Sequence, residues 1–257
     1  MTSIKKVSSG DRLTALLQEL KLHTVAEQLL TRLQNANQQS AISTVLEVFE
    51  LEQQLRWERK VERLRRSSRL PIGKTFANYN EKRLPASLAR ILKKLSTGDF
   101  LNRAVNVLAF GLPGTGKSHA ACALGHALVD AGHSVFFTPT YKLVQNLLVA
   151  KRDYELPKAL KKLDNYELLI LDDLGYVQQG PDEIEVLFTL LAERYERRSI
   201  LITSNLVFSE WEKIFKNPMT TAAAIDRLVH HSEILEFSVE SYRTKSKKED
   251  KVKRRAK

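Results

Sequence analysis

The amino-acid sequence predicts an α/β protein in which helices cover both faces of a parallel β-sheet, preceded by a small helical segment. From residue 105 onward, short apolar runs typical of strands alternate with helical stretches. This alternation predicts parallel strands that are buried on both faces. In the first 70 residues, leucines recur at helical spacing. A glycine-rich motif between the first strand and the next helix is the third observation.

The N-terminal segment predicts a helical domain over residues 1–70. Its apolar spacing favours two short amphipathic helices that meet near Leu22, and a third that begins near Ile42. The third helix becomes strongly basic, and only Glu58 and Glu62 interrupt the basic run. Such a run is as typical of a solvated helix face as of a contact with DNA or a partner. The basic residues are Arg56, Arg59, Lys60, Arg63, Arg65, Arg66 and Arg69.

A linker over residues 74–80 and a helix over 85–95 precede the first strand, and the glycine-rich motif follows it. The motif has the form G-x-x-x-x-G-K-S, and a strand before it and a helix after it are the context of a phosphate-binding loop. Its glycines allow successive N–H groups to point at one phosphate, and the helix adds its positive dipole end. Lys117 would neutralise the β- and γ-phosphates, and the Ser118 hydroxyl would bind Mg²⁺. The loop residues are Gly111, Pro113, Gly114, Thr115, Gly116, Lys117 and Ser118.

Two later strands end in polar residues that suit hydrolysis of a nucleoside triphosphate. The strand over residues 168–171 ends in Asp172, a candidate for the magnesium side, and Asp173, a candidate general base. Asn205 follows the strand over 199–203, so in a parallel sheet it should lie at the same edge. A turn-forming Asp pair, and an Asn that serves only in a turn or helix cap, are the structural alternatives.

The composition of the chain indicates which class of partner it binds and in which cellular compartment it works. The chain has 257 residues and a formal net charge of +11, which favours nucleic acid as a partner, although nonspecific basicity is the alternative. One cysteine, Cys122, and the lack of an apolar run of about 20 residues predict a cytoplasmic protein without a membrane span. The histidines show no spacing typical of metal ligands. Residues 243–257 form a basic tail, which we expect to be disordered when unbound or to bind nucleic acid.

The sequence resembles AAA+ ATPases, and within them the IstB-like family. Residues 111–118, 168–173 and 203–205 resemble the Walker A, Walker B and sensor 1 elements. Longer strings are similar to the IstB-like proteins, which are ATP-binding helpers of insertion-sequence transposition related to the helicase loader DnaC and the initiator DnaA. These strings are residues 170–176, 194–196, 203–208 with Trp211, 226–231 and 241–243.

The resemblance implies an AAA+ domain over residues 71–242 that uses ATP and Mg²⁺. It also implies an initiator-type helical insertion over about residues 141–163, whose helices line a channel and touch DNA. From the residues alone, a lysine-rich solvent face is the usual interpretation of this segment. Contacts with DNA phosphates would position the protein without reading sequence. The candidate DNA-binding residues are Tyr141, Lys142, Lys151, Arg152 and Lys158.

The resemblance further implies that subunits share active sites. Arg227 matches the family's arginine finger, which would reach the γ-phosphate held by a neighbouring subunit. An ion pair with Glu233 or Asp226 is the structural alternative for this arginine. Such a head-to-tail contact gives a homo-oligomeric ring or a helical filament. Phe76 and Tyr79 lie where the family's linker passes the adenine.

Two features depart from the common AAA+ pattern. Asp173 stands where many AAA+ enzymes have glutamate, and its shorter side chain predicts slow hydrolysis. After Val239 the sequence has no room for a C-terminal helical lid. The resemblance therefore predicts a lidless, DNA-stimulated ATPase that oligomerises on duplex DNA and recruits or stimulates a transposase. The alternatives are a replicative helicase loader and a nucleotide-gated DNA scaffold with negligible hydrolysis.

Overall fold

The computed structural model describes residues 8–36, 38, 40–79, 84–176, 180–207, 210–211 and 218–238. The chain divides into two compact units, Met1–Glu62 and Arg63–Lys257. The described part of the first unit is helical, and the second unit contains the sheet.

The first unit contains helices α1 (Ser9–Glu19) and α2 (His23–Asn35) and most of α3 (Ala41–Ser68). The Ser8 hydroxyl caps α1 by accepting a hydrogen bond from the Asp11 amide at 3.1 Å. The apolar residues of the three helices pack into one small core. The structure therefore confirms the three helices that the apolar spacing of the sequence predicts. The core residues are Leu13, Leu16, Leu17, Leu20, Ala26 and Leu46.

The second unit alternates strands and helices, as the sequence predicts. Its elements in chain order are α4 (Ala86–Leu95), β1 (Asn106–Gly111), α5 (Lys117–Asp130), β2 (Val135–Pro139), α6 (Thr140–Arg152), α7 (Leu156–Asp164), β3 (Leu168–Asp172), α8 (Pro181–Arg194), β4 (Ser199–Ser204), α9 (Pro218–Val229) and β5 (Ser232–Phe237). The helix predicted to run to about residue 197 ends at Arg194, because the backbone becomes extended at Tyr195 and left-handed at Glu196.

The five strands form one parallel sheet in the order β2-β3-β4-β1-β5. Alternate strand residues enter two different cores, so both faces of the sheet are covered. Val107 of β1 packs in the core on one face, and Leu108 in the core on the other. Because all strands run the same way, the segments after β1, β3 and β4 emerge at one edge. This confirms the predicted fold class.

A buried arginine at the end of α8, Arg194, joins the end of α7 to the start of β4. Arg194 is 1% exposed, and its guanidinium donates hydrogen bonds to the carbonyls of Leu163, Tyr166 and Ser199 at 2.9–3.0 Å. Burial lowers the pKa of Arg194 to about 9, so the side chain remains protonated at pH 7. These bonds satisfy carbonyls at the end of α7 and at the start of β4.

The 241–243 string, the basic tail over 243–257 and the missing lid after Val239 lie outside the described residues, as do Asn80 of the linker and Phe208 of the 203–208 string. Among the described residues, no helix is long and apolar enough to cross a membrane.

Candidate functional site

The phosphate-binding motif forms the connection between β1 and α5. Gly111, Gly114 and Gly116 have φ angles of 150°, 83° and 98°, a conformation that residues with a Cβ rarely adopt. A Cβ on Gly111 would also lie 2.5 Å from the carbonyl oxygen of Phe237 on β5. Since α5 begins at Lys117, the loop amides and the positive end of this helix dipole lie together.

Lys117 and Thr115 are held inside this loop. The Lys117 ammonium donates hydrogen bonds to the carbonyls of Gly111 at 2.6 Å and Leu112 at 2.9 Å. The Thr115 hydroxyl donates to Leu112 at 2.9 Å, which closes the turn beside the exposed Pro113. Ser118 is half-buried in the first turn of α5. The loop and the start of α5 therefore carry an ammonium, a hydroxyl and several glycine amides. Such a set of hydrogen-bond donors suits phosphate oxygens.

The acidic pair lies at the end of β3, the strand next to β4. The Thr203 hydroxyl of β4 donates to Asp172 Oδ1 at 2.6 Å and accepts a hydrogen bond from the Asp173 amide at 2.9 Å. Thr140, the first residue of α6, donates through its hydroxyl to the Asp172 carbonyl at 3.0 Å. Asp173 has a φ of 64°, a left-handed conformation that Asp and Asn tolerate better than most residues. The exposed Asp173 carboxylate is thus held by its backbone.

Thr203→Val should destabilise the protein by about 1–3 kcal/mol, because the part-buried amide of Asp173 and a carboxylate oxygen of Asp172 each lose a hydrogen-bond partner. Thr203 is fully buried, so the valine methyl group would replace the hydroxyl without access to water. Urea unfolding measures the loss. Thr203→Ser keeps the hydroxyl and should retain most of the stability.

A matched control for this prediction is Thr189→Val. The Thr189 hydroxyl bonds only to the Glu185 carbonyl of its own helix, at 2.8 Å. That substitution should cost much less than Thr203→Val, since bonds of this kind contribute little to helix stability. Equal losses at the two positions would contradict the bridging role of Thr203.

Asn205 follows β4, which lies between β1 and β3 in the sheet. This position places it between the phosphate-binding loop and the acidic pair along the sheet edge. Its Oδ1 is buried and has no hydrogen-bond partner within the described residues. The side chain packs so closely on Gly175 that a Cβ there would lie 2.1 Å from Oδ1. A buried amide oxygen without a partner is costly, so this atom suits a ligand or a water molecule.

Arg227 lies on α9 and packs on α8. Its guanidinium carbon is 4.5 Å from the ring centre of Phe188, a cation–π contact, and Nη1 is buried with no hydrogen-bond partner in the described part of the chain. Glu233, the partner in the structural alternative, binds Lys94 at 2.9 Å and not Arg227. No ion pair between Arg227 and Asp226 is found among the described side chains either.

The two predicted adenine residues lie near the start of α5, in different environments. The Thr75 carbonyl is 3.1 Å from His119 Nε2, which fixes this linker to the first turn of α5. Tyr79 is buried, with its ring edge-on to His119 at 4.9 Å. Phe76 is half-buried and lines a cavity of about 530 Å³ with Leu84 and residues of α4. Phe76 is therefore the more accessible of the pair.

The candidate DNA-binding residues lie on α6 and α7, and acidic side chains pair with three of them. Lys151 binds Asp182 and Glu185 of α8 at 2.9 and 2.8 Å, and these hydrogen bonds raise the pKa of Lys151. Arg152 pairs with Asp153 at 3.2 Å, and Lys158 with Glu155 at 2.8 Å. Tyr141 and Lys142 are exposed at the start of α6. Lys142 has no acidic partner among the described residues.

Four residues of this region were missed as site residues from the sequence. Thr140 and Thr203 orient the end of β3, Gly175 contacts Asn205, and Phe188 supports Arg227. The one signal in the sequence was Thr203, a polar residue in an otherwise apolar strand. The partners of the other three become visible only when separate elements are packed together.

Comparison with known proteins identifies the family. A family model described as IstB-like ATP binding protein matches residues 15–250. An insertion-sequence ATP-binding protein of Sinorhizobium fredii is 41% identical over 254 residues, which cover 98% of this chain and 85% of the relative. An IS21 ATP-binding protein of Pseudomonas aeruginosa is 38% identical over 193 residues, covering 75% of this chain and 73% of the relative.

Solved structures share the fold. The crystal structure of the DnaC helicase loader matches with a TM-score of 0.57 at 19% identity, over 65% of this chain and 98% of that one. The replication initiator DnaA bound to AMPPCP and single-stranded DNA matches with a TM-score of 0.55 at 15% identity, over 67% of this chain and 52% of that one. The family match over most of its length shows that this chain belongs to the IstB-like ATP binding protein family, and the parallel sheet and the solved structures show that it has the AAA+ fold.

Proposed function

We propose that this chain is an ATPase that assembles on duplex DNA when ATP is bound and recruits or stimulates a transposase. The observation that supports this most is the grouping at one sheet edge. The phosphate-binding loop follows β1, Asn205 follows β4 and the acidic pair ends β3, and these three strands are neighbours. The family name and the insertion-sequence relatives support ATP and transposition as its context.

The residues present fit ATP and magnesium. The glycines of the loop have positive φ angles, which allow successive loop amides to point at one phosphate. The Ser118 hydroxyl and an Asp172 carboxylate oxygen are hard oxygen donors, which suit Mg²⁺. When bound, Mg²⁺ would neutralise charge on the phosphate oxygens. Phe76 would contact the adenine from the linker, with Tyr79 buried behind it.

Each polar residue of the edge has a proposed role in hydrolysis. Asp173 accepts a proton from the attacking water, and Asn205 orients that water or the γ-phosphate through its buried amide. Lys117 neutralises charge on the β- and γ-phosphates. Arg227 of the neighbouring subunit supplies the remaining positive charge, so the active site is complete only in a head-to-tail assembly.

Gly175→Ala should lower ATP turnover nearly as much as Asn205→Ala, about 10²–10³-fold, the usual cost of removing one preorganised polar group from an active site. The φ angle of Gly175 lies outside the left-handed region, so alanine suits the backbone and the effect arises at Asn205. In a double variant the two losses should not add, because both changes remove the same interaction. Additive losses would show that Gly175 does not act through Asn205.

We propose that α6 and α7 contact DNA through lysines that have no acidic partner. Lys142, Lys161 and Lys162 are exposed, and the described residues provide none of them with an ion pair. In contrast, Lys151 is already balanced by two carboxylates of α8. Phosphate contacts by the first three would position the protein without selecting a sequence.

Each of these three lysines should contribute about 0.9 to the slope of log affinity against log salt on duplex DNA. Replacing all three by glutamine should flatten that slope accordingly, as fluorescence anisotropy at several salt concentrations would measure. Lys151→Gln is the control, and it should change the slope much less. If the triple variant keeps the wild-type slope, DNA does not bind this surface.

ATP hydrolysis with duplex DNA, single-stranded DNA or no DNA, followed together with particle size, tests the proposed function. Stimulation by duplex DNA and ATP-dependent assembly would support a transposition ATPase. Stimulation by single strands alone would favour a helicase loader, the candidate raised by the fold shared with DnaC. ATP-dependent assembly on DNA without hydrolysis would favour a nucleotide-gated scaffold.

A further inference from the structure

The ends of α8 and α9 bring together a carboxylate and two imidazoles that the proposed function does not use. Glu196 comes shortly after α8, and His230 and His231 directly follow α9. One donor atom from each residue lies within 4.8 Å of the other two. Glu196 Oε1 is 3.5 Å from His231 Nε2, and the two imidazole rings are 4.4 Å apart.

This donor set is typical of transition metals. Imidazole nitrogens with one carboxylate suit Zn²⁺, Co²⁺ or Ni²⁺, whereas Mg²⁺ and Ca²⁺ prefer oxygen ligands. Zinc–ligand bonds of about 2.0–2.1 Å place tetrahedral donors roughly 3.3 Å apart, close to the distance between Glu196 and His231. All three side chains are exposed, so His230 needs only a side-chain rotation to join them.

The surroundings also favour a cation. The C-terminal ends of two helices meet here, and each adds the negative end of its dipole. The adjacent Arg197 points its guanidinium away to Asp164, 2.7 Å away.

Tyr195 supports one of the imidazoles. Its hydroxyl is 3.4 Å from His230 Nδ1, which leaves His230 Nε2 for a ligand. Hydrogen bonds of this kind fix the ring orientation of ligating histidines in known metal sites.

We propose that Glu196, His230 and His231 bind one divalent transition-metal ion of the zinc class. The ion joins the end of α8 to the end of α9. Because Phe188 lies on α8 and Arg227 on α9, it links the two helices whose contact holds Arg227. The binding itself is independent of ATP hydrolysis and of DNA.

Equilibrium dialysis of Zn²⁺ against the full-length, tag-free protein tests this site. Excess Mg²⁺ in the buffer fills sites made only of oxygen ligands, including the one proposed at Ser118 and Asp172. His230→Ala and His231→Ala remove one imidazole each. The matched control is His23→Ala, an exposed histidine of α2. Because these histidines are exposed, the variants should fold, and thermal unfolding without metal checks this.

The wild type and His23→Ala should each bind one Zn²⁺ per chain. His230→Ala and His231→Ala should each weaken Zn²⁺ binding by at least about 10–100-fold. This is the usual loss in metal affinity when a residue that only orients a metal ligand is removed. Added Co²⁺ should give a visible absorption spectrum that disappears in both variants. The site is refuted if the wild type binds Zn²⁺ no better than His230→Ala and His231→Ala do, or if His23→Ala causes the same loss as these two variants.

Discussion

Arg227→Ala is expected to lower ATP turnover by roughly 10³–10⁵-fold, the range by which arginine fingers accelerate phosphoryl transfer, with nucleotide binding retained. The expectation rests on the state of this side chain within its own subunit. It stacks on Phe188 at 4.5 Å, and its Nη1 is buried without a hydrogen-bond partner in the described part of the chain. The residue as a whole is half-buried, and no ion pair with a described residue of its own subunit neutralises its charge, so this charge can act on a partner outside the subunit.

Two further variants separate a finger from a structural arginine. Arg227→Lys keeps the charge but loses the planar guanidinium fork, so turnover should remain well below that of the wild type. Arg197→Ala, which removes an exposed arginine bound to Asp164, should leave turnover unchanged. Steady-state hydrolysis and binding of a fluorescent ATP analogue measure the two properties separately. Loss of nucleotide binding in Arg227→Ala would contradict the role assigned to it.

Asp173→Asn should reduce hydrolysis by about 10²–10⁴-fold, the usual contribution of a general base. Asparagine tolerates the left-handed conformation at this position, and its backbone N–H can still donate a hydrogen bond to the Thr203 hydroxyl. The substitution therefore removes the carboxylate with little change in the backbone. ATP binding and ATP-dependent assembly on DNA should persist, and the assemblies should last longer, because hydrolysis no longer loosens them.

Single-turnover hydrolysis with labelled ATP, followed together with sedimentation on DNA, measures both effects of Asp173→Asn. Asp182→Asn is a useful control, since Asp182 is an exposed acid that pairs with Lys151 on α6. Wild-type turnover in Asp173→Asn would show that another group accepts the proton.

The sequence predicted the sheet and the order of its elements because the signals are local. The strand over 168–171 is a continuous apolar run, and a glycine-rich loop of this form between a strand and a helix rarely occurs outside a phosphate-binding site. The sequence also predicted that Asn205 and the acidic pair lie at the same edge of the sheet, because parallel strands end on the same side. These expectations needed no knowledge of how side chains pack.

The contacts within the site could not be predicted in the same way. The Thr203 hydrogen bonds join β4 to the end of β3, and Gly175 meets Asn205 across two loops. Such contacts depend on strand register and loop conformation, which leave no periodic pattern in the sequence. The same holds for Glu196 and the pair His230 and His231, which are more than 30 positions apart in the chain and adjacent in space.

The ion pairs of α6 and α7 could not be predicted from the sequence either. Sequence composition gives Lys142 and Lys151 the same charge, but the packing of α6 on α8 places Lys151 between two carboxylates. The structure thus distinguishes Lys151, which two carboxylates balance, from Lys142, which has no acidic partner among the described residues. A count of basic residues treats them alike.

A mixture of Asp173→Asn and Arg227→Ala subunits tests most directly whether the active site is shared between subunits. Each variant alone should be inactive while still binding ATP. In the mixture, an Arg227→Ala subunit retains Asp173 and can receive Arg227 from an Asp173→Asn neighbour. If subunits mix randomly, about a quarter of the head-to-tail contacts are complete, and hydrolysis should recover to about that fraction of the wild-type rate. A mixture of Asp173→Asn with the double variant contains no complete contact and should stay inactive. A first mixture as inactive as its two components would contradict the shared active site.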